Sequence, residues 1–554
     1  MVSDLDRHYD EVLARETGPG GRLVIAADDQ DRPIVANFPA TLPALFRAFC
    51  ELNGAAEALV SGDERLTFAE LERISECVAH GLVARGIAKG DRVALAMRNC
   101  PSWVVGYMGI VKAGAIATLL NGWWEAEEME HAIMLTEPAL IIADPSQARR
   151  IAARCSHCSI LTIAIDQPVE QAMAELLHDR DENANLPEVA PEDDATILFT
   201  SGSTGKCKGA LSTHRAVTTA TYAYATGLIV LRGILEDEGR PPPPPRTLLS
   251  VPLFHVTGEV PVMINSFVVG RCMVVMPKWD PTEALRLIEQ ERITYFVGVP
   301  TMSLELMNHP DRDKYDLSSL TDITAGGAPR PVSHVERLQS EFPWAKPALG
   351  YGLTETNAVG CSNFWGNYAA KPASTGRMQK PLVDVVILGE GDRHLAPGEP
   401  GEIAIRSAAN IKGYWRNPEA TAELFTADGY VRSGDIGYLD EDGYLFIVDR
   451  KKEIIIRGGE NISAAEVEAA CYDCPAVAEV SVFGAPDERL GEVPIAVILV
   501  KAGERLSEEQ LRNFLDGKLA KFKIPERIVF SQESLPRLGT GKIDRRALKA
   551  QYAR

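Results

Sequence analysis

The chain has 554 residues, 45% hydrophobic and 24% charged, with a formal net charge of −20. That length exceeds what one hydrophobic core serves, so two or more domains are expected. The acidic balance argues against nucleic acid or an anionic membrane as a general partner, while a few local Lys and Arg residues could still hold phosphates. The opening MVSDLDRHYDEVLARE is polar and carries no readable secretory signal. The longest apolar stretches, such as 260–270, fall short of the roughly 20 residues that a membrane helix needs. A soluble, cytoplasmic protein is therefore expected. Ten cysteines in so long a chain do not suggest a disulfide scaffold. Cys155/Cys158 and Cys471/Cys474 have the CxxC spacing, but they lie far apart and outside Gly-rich knuckles, so incidental or buried thiols are expected rather than zinc.

From about Leu66 to Ala328, strand-like apolar runs alternate with helical patterns, as in 92–97 followed by 103–111 and then 138–143, which implies α/β layers. The first forty residues match no interpretable motif. Trp123 and Trp124 are expected to pack against protein rather than to touch a membrane. The run RPPPPPR, 240–246, suits neither a helix interior nor a central strand and is expected to be an exposed connection. After about Val383 the texture changes to short alternating strands, such as 401–406 and 444–448, which suggests a small β-rich subdomain. From Lys452 onward, strands and helices alternate in a compact α+β unit, giving predicted domains of 1–451 and 452–554. Two helix starts there carry capping-box signatures, Ser463 with Glu466 and Ser507 with Gln510.

The segment most suggestive of chemistry is Thr200-Ser-Gly-Ser-Thr-Gly-Lys-Cys-Lys-Gly209, between a strand-like run and a predicted helix near Thr213. Small and hydroxylated residues let backbone N–H groups and hydroxyls converge on phosphate oxygens, and Lys206 and Lys208 add positive charge. It is not a Walker loop, because the Gly-Lys-Ser/Thr ending is absent. Further along come PLFHVTG (252–258), TAGGAP (324–329), LGYGLTET (349–356), SGDIG (433–437), DRKKE (449–453), RGGENI (457–462) and GTGKI (539–543).

In this order, these segments resemble the adenylate-forming superfamily of acyl-CoA synthetases, peptide-synthetase adenylation domains and beetle luciferases, from about Leu42 to the end. The resemblance implies a large N-terminal α/β domain and a small mobile C-terminal one. It implies that Thr200, Ser201, Gly202, Ser203, Thr204, Gly205 and Lys208 wrap the ATP β- and γ-phosphates. Cys207 stands where the family usually has proline, which should loosen that loop without removing its donors. His255 would gate ATP and acyl binding; a general base is not needed, because a carboxylate is already a nucleophile. Gly326, Gly327 and Ala328 would approach adenine and the acyl chain, with Gly350, Tyr351 and Gly352 against the adenine face. Thr354 would bond the α-phosphate and Glu355 would hold Mg²⁺, which prefers hard oxygen ligands. Asp435 would accept the ribose hydroxyls, Ile447 and Arg450 would complete the nucleotide site, and Lys452 would be the interdomain hinge. Gly458, Gly459 and Glu460 would face CoA, and Lys542 would hold the acid's carboxylate and the α-phosphate in line. The acyl pocket would draw on His255, Val299, Thr301, Gly326 and Asn357.

The expected reaction takes ATP, CoA and a medium- to long-chain or bulky hydrophobic carboxylic acid to acyl-CoA, AMP and pyrophosphate through an acyl-adenylate. ATP, Mg²⁺ and CoA are the implied cofactors; neither nucleic acid nor stable membrane insertion is expected, and a homodimer is left open. Loading of a carrier-protein thiol, or β-lactone- or luciferase-like use of the adenylate, fits the same motifs. A nucleotide sensor without turnover is disfavoured, because Glu355 and Lys542 are both present.

Overall fold

Strand positions follow the apolar runs. The computed structural model describes residues 3–124, 126–178, 185–200, 207–328, 330–450, 453–457, 460–487, 489–516, 518–538 and 542–553. Among these residues one sheet has seven strands, in the order Gly413–Tyr414, Lys208–Thr213, Asp194–Thr200, Ile116–Leu119, Arg92–Ala96, Leu140–Ala143 and Ile160–Thr162. Every residue of Ile116–Leu119 and Leu140–Ala143 is buried. Covered on both faces, such parallel strands read as unbroken apolar runs rather than as alternation. Lys208–Thr213 returns antiparallel to Asp194–Thr200, which makes Lys208 and Thr200 register partners.

A second sheet has thirteen described strands. It is parallel across Glu57–Ser61, Cys272–Val275, Arg246–Leu249, Tyr295–Gly298, Asp322–Gly326 and Lys346–Gly352. It continues antiparallel through Gly360–Phe364, Gly376–Met378, Tyr444–Arg450, Val431–Leu439 and Gly401–Arg406 to Asp384–Leu388. The β-rich region after Val383 therefore extends the sheet that carries the glycine motifs. The helix Pro101–Lys112 is buried along its whole length, with Trp103 stacked on Tyr107 at 5.5 Å. Trp124 packs edge-on against Phe199 at 5.2 Å, while Trp123 is 39% exposed and lies under the Arg98 guanidinium.

The proline run links the helix His214–Asp237 to the strand Arg246–Leu249 and is largely exposed, because proline fits neither element's interior. At the N-terminus, Ser3 caps the helix Asp4–Thr17 through a hydrogen bond from the Asp6 N–H. No helix among the described residues is long and apolar enough to cross a membrane. All ten cysteines are unbridged, and no group of three or more His, Cys, Asp or Glu among the described residues could hold a metal ion.

The C-terminal part builds its own five-stranded sheet and its own core, which includes Ile455, Ile462, Val467, Val480, Ile498 and Leu511. Ser507 and Gln510 form the reciprocal capping box that the sequence predicts. Ser463 fulfils only half of its own. Its Oγ accepts from the Glu466 N–H at 3.0 Å, but the Glu466 carboxylate turns to the Lys523 ammonium at 2.7 Å instead of back to the cap. A full cationic partner outweighs one neutral N–H for a carboxylate. The Ser463 hydroxyl donates to the Val448 carbonyl at 2.7 Å, and the Ala464 N–H donates to the Asp449 carboxylate at 2.8 Å. Those two bonds moor the first helix of the small domain to the strand Tyr444–Arg450.

Candidate active site

The site is assembled at the carboxyl ends of parallel strands, where α/β sheets commonly bind ligands. Register pairs Gly326 with Gly350. A Cβ added at Gly350 would meet no atom within 4 Å, so the strand end leaves an open floor there; at Gly352 it would come 1.9 Å from the Ala358 carbonyl oxygen. Gly350 is therefore small beside a space, and Gly352 is small because the chain passes itself. A single 3-10 turn, Thr354–Thr356, follows and ends at Asn357 in the left-handed region at φ 49°. Asn357 is fully buried. Its Oδ1 accepts from the Ser212 hydroxyl at 3.1 Å and its Nδ2 donates to the Ala409 carbonyl at 2.8 Å, which fixes the turn carrying Thr354 and Glu355. Thr354 and Glu355 are themselves half-buried.

The Tyr351 hydroxyl donates to Asp435 Oδ2 at 2.7 Å, and the Asp435 N–H donates to the Ser433 hydroxyl oxygen at 3.0 Å. Burial, reinforced by the neighbouring Asp435 charge, holds the Tyr351 phenol well above its ordinary pKa, so it stays a donor. Asp435 is 4% exposed and pairs in register with Arg450, whose backbone alone is described. Half-buried Ile447 lies on the same strand opposite Gly437. Tyr351 and Asp435 thus meet although 84 residues separate them.

On the other side, the Phe254 and His255 rings lie 4.7 Å apart at the start of a π-helix, Gly258–Ile264. Burial pushes the His255 imidazole down to about 3, with the Lys542 ammonium adding to the effect. Among the described residues its Nε2 meets no hydrogen-bond partner. Val299 is nearly buried at the entry to the helix Pro300–Asn308, and Thr301 is half-buried in its first turn.

Lys542 closes the arrangement. The Leu538 N–H donates to its carbonyl at 2.7 Å, and a Cβ built on Gly327 would sit 3.6 Å from its Cε and 3.9 Å from its Nζ. Gly327 itself has φ +75°, a conformation that side chains other than glycine rarely adopt. Half-buried Gly326 and Ala328 flank it. A lysine from the C-terminal unit therefore lies over the glycine strand end and within electrostatic reach of His255.

The AMP-binding enzyme family matches residues 46–415, and the AMP-binding enzyme C-terminal domain matches residues 466–542. A long-chain-fatty-acid–CoA ligase of Bacillus subtilis is 34% identical over 518 residues, covering 88% of this chain and 90% of the relative. A feruloyl-CoA synthase of Amycolatopsis is 35% identical over 489 residues, covering 88% and 94%. The solved structure of ATP-bound MatB from Rhodopseudomonas palustris superposes with a TM-score of 0.81 at 28% identity, covering 93% of this chain and 99% of that one.

The chain belongs to the AMP-binding enzyme family. It is an AMP-forming acid–thiol ligase, an acyl-CoA synthetase that uses ATP and CoA, with a large N-terminal and a small C-terminal domain. In this synthetase the structure brings together His255, Gly327 and Lys542, and separately Tyr351 with Asp435. Ser201, Gly202, Ser203, Thr204, Gly205, Lys452, Gly458 and Gly459 lie outside the described residues, and of Glu460 the backbone alone, in the strand Glu460–Ile462, is described. Of the segment expected to wrap the ATP phosphates, Thr200 and Lys208 are described and half-buried.

One residue in contact with the site was not anticipated. The Tyr414 hydroxyl donates to Glu355 Oε1 at 2.7 Å, and the Lys208 ammonium lies 4.7 Å from the Tyr414 ring centroid. Tyr414 sits in a two-residue strand, too short for periodicity to mark it.

Proposed function

We propose that this synthetase activates a medium- to long-chain or bulky hydrophobic carboxylic acid and transfers its acyl group to free CoA. The observation that carries the reading is the placement of Lys542 over Gly327 beside a neutral His255. The nature of the acid draws support from the relatives named for long-chain fatty acids and for feruloyl groups. The largely buried aliphatic side chain of Val299 suits such an acid.

In the first step the carboxylate oxygen forms a bond to the ATP α-phosphorus and the bond to pyrophosphate breaks. Such reactions are accelerated mainly by positioning and by neutralising charge on the transferring oxygens. Lys542 holds the attacking carboxylate and the α-phosphate together, and Thr354 donates to the same phosphate. Asp435, oriented by Tyr351, takes the ribose hydroxyls, while the open floor at Gly350 receives adenine. His255 stays uncharged and yields between ATP-bound and acyl-bound arrangements. Glu355 would hold Mg²⁺. This ion is commonly bound through one or two carboxylates together with phosphate oxygens and water, so the half-buried Glu355 carboxylate is a fitting donor. When bound, it neutralises charge on the phosphates.

In the second step the CoA thiolate forms a bond to the acyl carbon and AMP departs. Residues 1–451 and 452–554 are the two moving bodies, with Lys452 as pivot, and rotation would exchange Lys542 for the Gly458, Gly459 and Glu460 loop at the acyl carbon.

The test is pyrophosphate release with ATP, Mg²⁺ and a panel of acids from acetate to long-chain and aromatic, each with and without CoA. CoA-dependent turnover to AMP with hydrophobic acids is the expected result. Turnover confined to short or polar acids would overturn the substrate class, and pyrophosphate release indifferent to CoA would overturn free CoA as the acceptor.

A further inference from the structure

The strand Gly413–Tyr414 lies at a junction. Its neighbours bond on both sides: the Lys412 N–H donates to the Leu211 carbonyl at 2.8 Å and the Trp415 N–H to the Gly209 carbonyl at 2.7 Å. The Ile411 N–H donates to the Glu355 carbonyl at 3.0 Å. One short stretch is thus stitched both to the strand that leaves the phosphate loop and to the turn that carries Glu355. Register sets Tyr414 opposite Ala210.

The Tyr414 side chain uses that position twice. Its hydroxyl donates to Glu355 Oε1 at 2.7 Å, and its ring face takes the Lys208 ammonium at 4.7 Å from the centroid. Glu355, the proposed metal-holding residue, and Lys208, expected at the ATP phosphates, therefore share one side chain. Among the described residues, no ion pair joins the Glu355 carboxylate directly to the Lys208 ammonium, so opposite charges face the same side chain without collapsing onto one another.

We propose that Tyr414 is the positioning residue of the phosphate site, fixing the orientation of the Glu355 carboxylate through its hydroxyl and the seat of Lys208 through its ring. This rests on the reading of Glu355 as the metal-holding residue. A hydrogen bond to a ligating carboxylate aims its remaining lone pairs, and losing such partners commonly costs tenfold or more in metal affinity. The ring supplies an attraction of the cation–π kind, which keeps the ammonium near the loop without neutralising it.

The experiment uses the full-length enzyme and compares Y414F, Y414L and E355Q. Mn²⁺ binding in the presence of ATP is read by electron paramagnetic resonance, alongside melting temperature and the two half-reactions. Y414F keeps the ring and should melt like the wild type. It should bind Mn²⁺ about tenfold more weakly and slow pyrophosphate release by a similar factor, while CoA transfer from a supplied acyl-adenylate stays unchanged. Y414L should in addition raise the KM for ATP. If E355Q weakens Mn²⁺ binding and Y414F does not, Tyr414 is a packing residue and only this proposal falls. If E355Q leaves Mn²⁺ binding unchanged, the metal role of Glu355 falls, and the proposal with it. Equal slowing of both half-reactions in Y414F would also overturn it, since a positioning role at the phosphates touches the first alone.

Discussion

The Tyr444 hydroxyl lies 3.1 and 3.0 Å from the two carboxylate oxygens of Asp6, across 438 residues of sequence. Asp6 is 3% exposed and also accepts from Asn367 Nδ2 and from the Arg377 guanidinium, each at 3.0 Å. The N-terminal helix is thereby bolted to the strand that runs into the proposed pivot. Asp6→Ala would strand the buried Tyr444 hydroxyl and Asn367 amide and take one of two carboxylates from the half-buried Arg377, which keeps Asp10. Leaving such buried donors unpaired costs about 1–3 kcal/mol. The large domain should unfold at a clearly lower urea concentration, and an unchanged midpoint would show the cluster to be ornamental.

Lys542→Ala should separate the half-reactions. Pyrophosphate release should fall by about 10²–10³-fold, the loss typical of one charge-stabilising group. CoA transfer to a supplied acyl-adenylate should proceed at nearly the wild-type rate. The comparison is made with the two assays run on the same preparation, and parallel loss in both would contradict a role confined to the first step.

His214 offers a test by pH. It is fully buried, and the Leu42 N–H donates to its Nδ1 at 3.3 Å, so the folded protein holds it neutral. Burial pushes it down to about 4, an effect that Asp193 opposes and Lys89 reinforces. An unfolded chain takes up this proton near the ordinary value of about 6.5. Below that pH the unfolded state binds the proton first, so the stabilisation is complete above about 6.5 and is lost as pH falls towards 4. The stability advantage of the wild type over His214→Gln should therefore shrink over that window by up to roughly 3 kcal/mol. A difference that stays constant from pH 4 to 7 in denaturant titrations would refute a neutral buried imidazole.

Two glycines in one motif should respond in opposite ways. Gly350→Ala adds a methyl group to open space and should melt like the wild type while weakening ATP binding. Gly352→Ala would drive a methyl group to within 1.9 Å of the Ala358 carbonyl and should destabilise the turn that carries Glu355. Melting curves with and without ATP distinguish the two; loss of stability in Gly350→Ala would mean that its floor is packed rather than open.

What was legible in the sequence was local. The exposure of the proline run follows from the covalent geometry of its residues, and the Ser507 cap needs partners only three residues away. The motif order gave the family, and with it the expectation that Lys542 holds the acid's carboxylate and the α-phosphate; its closeness to Gly327 was not written in any motif. Tyr414 and Asp6 were illegible because their partners are set by tertiary topology. No spacing in the sequence brings Glu355 to Tyr414 or Tyr444 to Asp6. The Ser463 cap shows the same boundary from the other side: the local signature was present, but Lys523, 57 residues on, competes for the Glu466 carboxylate. Alternation after Val383 revealed strands without revealing which sheet they join.

The two bonds between the strand Tyr444–Arg450 and the first helix of the small domain set a condition on the catalytic cycle. In the arrangement with Lys542 inside, the Ser463 hydroxyl and the Ala464 N–H are both engaged by groups on the large-domain side. If rotation separates them, it forfeits about 2–4 kcal/mol, one neutral and one charge-assisted hydrogen bond. At 1.4 kcal/mol per factor of ten, that would make the resting enzyme overwhelmingly an adenylating machine. The thioester-forming posture would then be a minority state, drawn out only by the binding energy of CoA or by departure of pyrophosphate. The order of the half-reactions would be written into the mooring as well as into the chemistry.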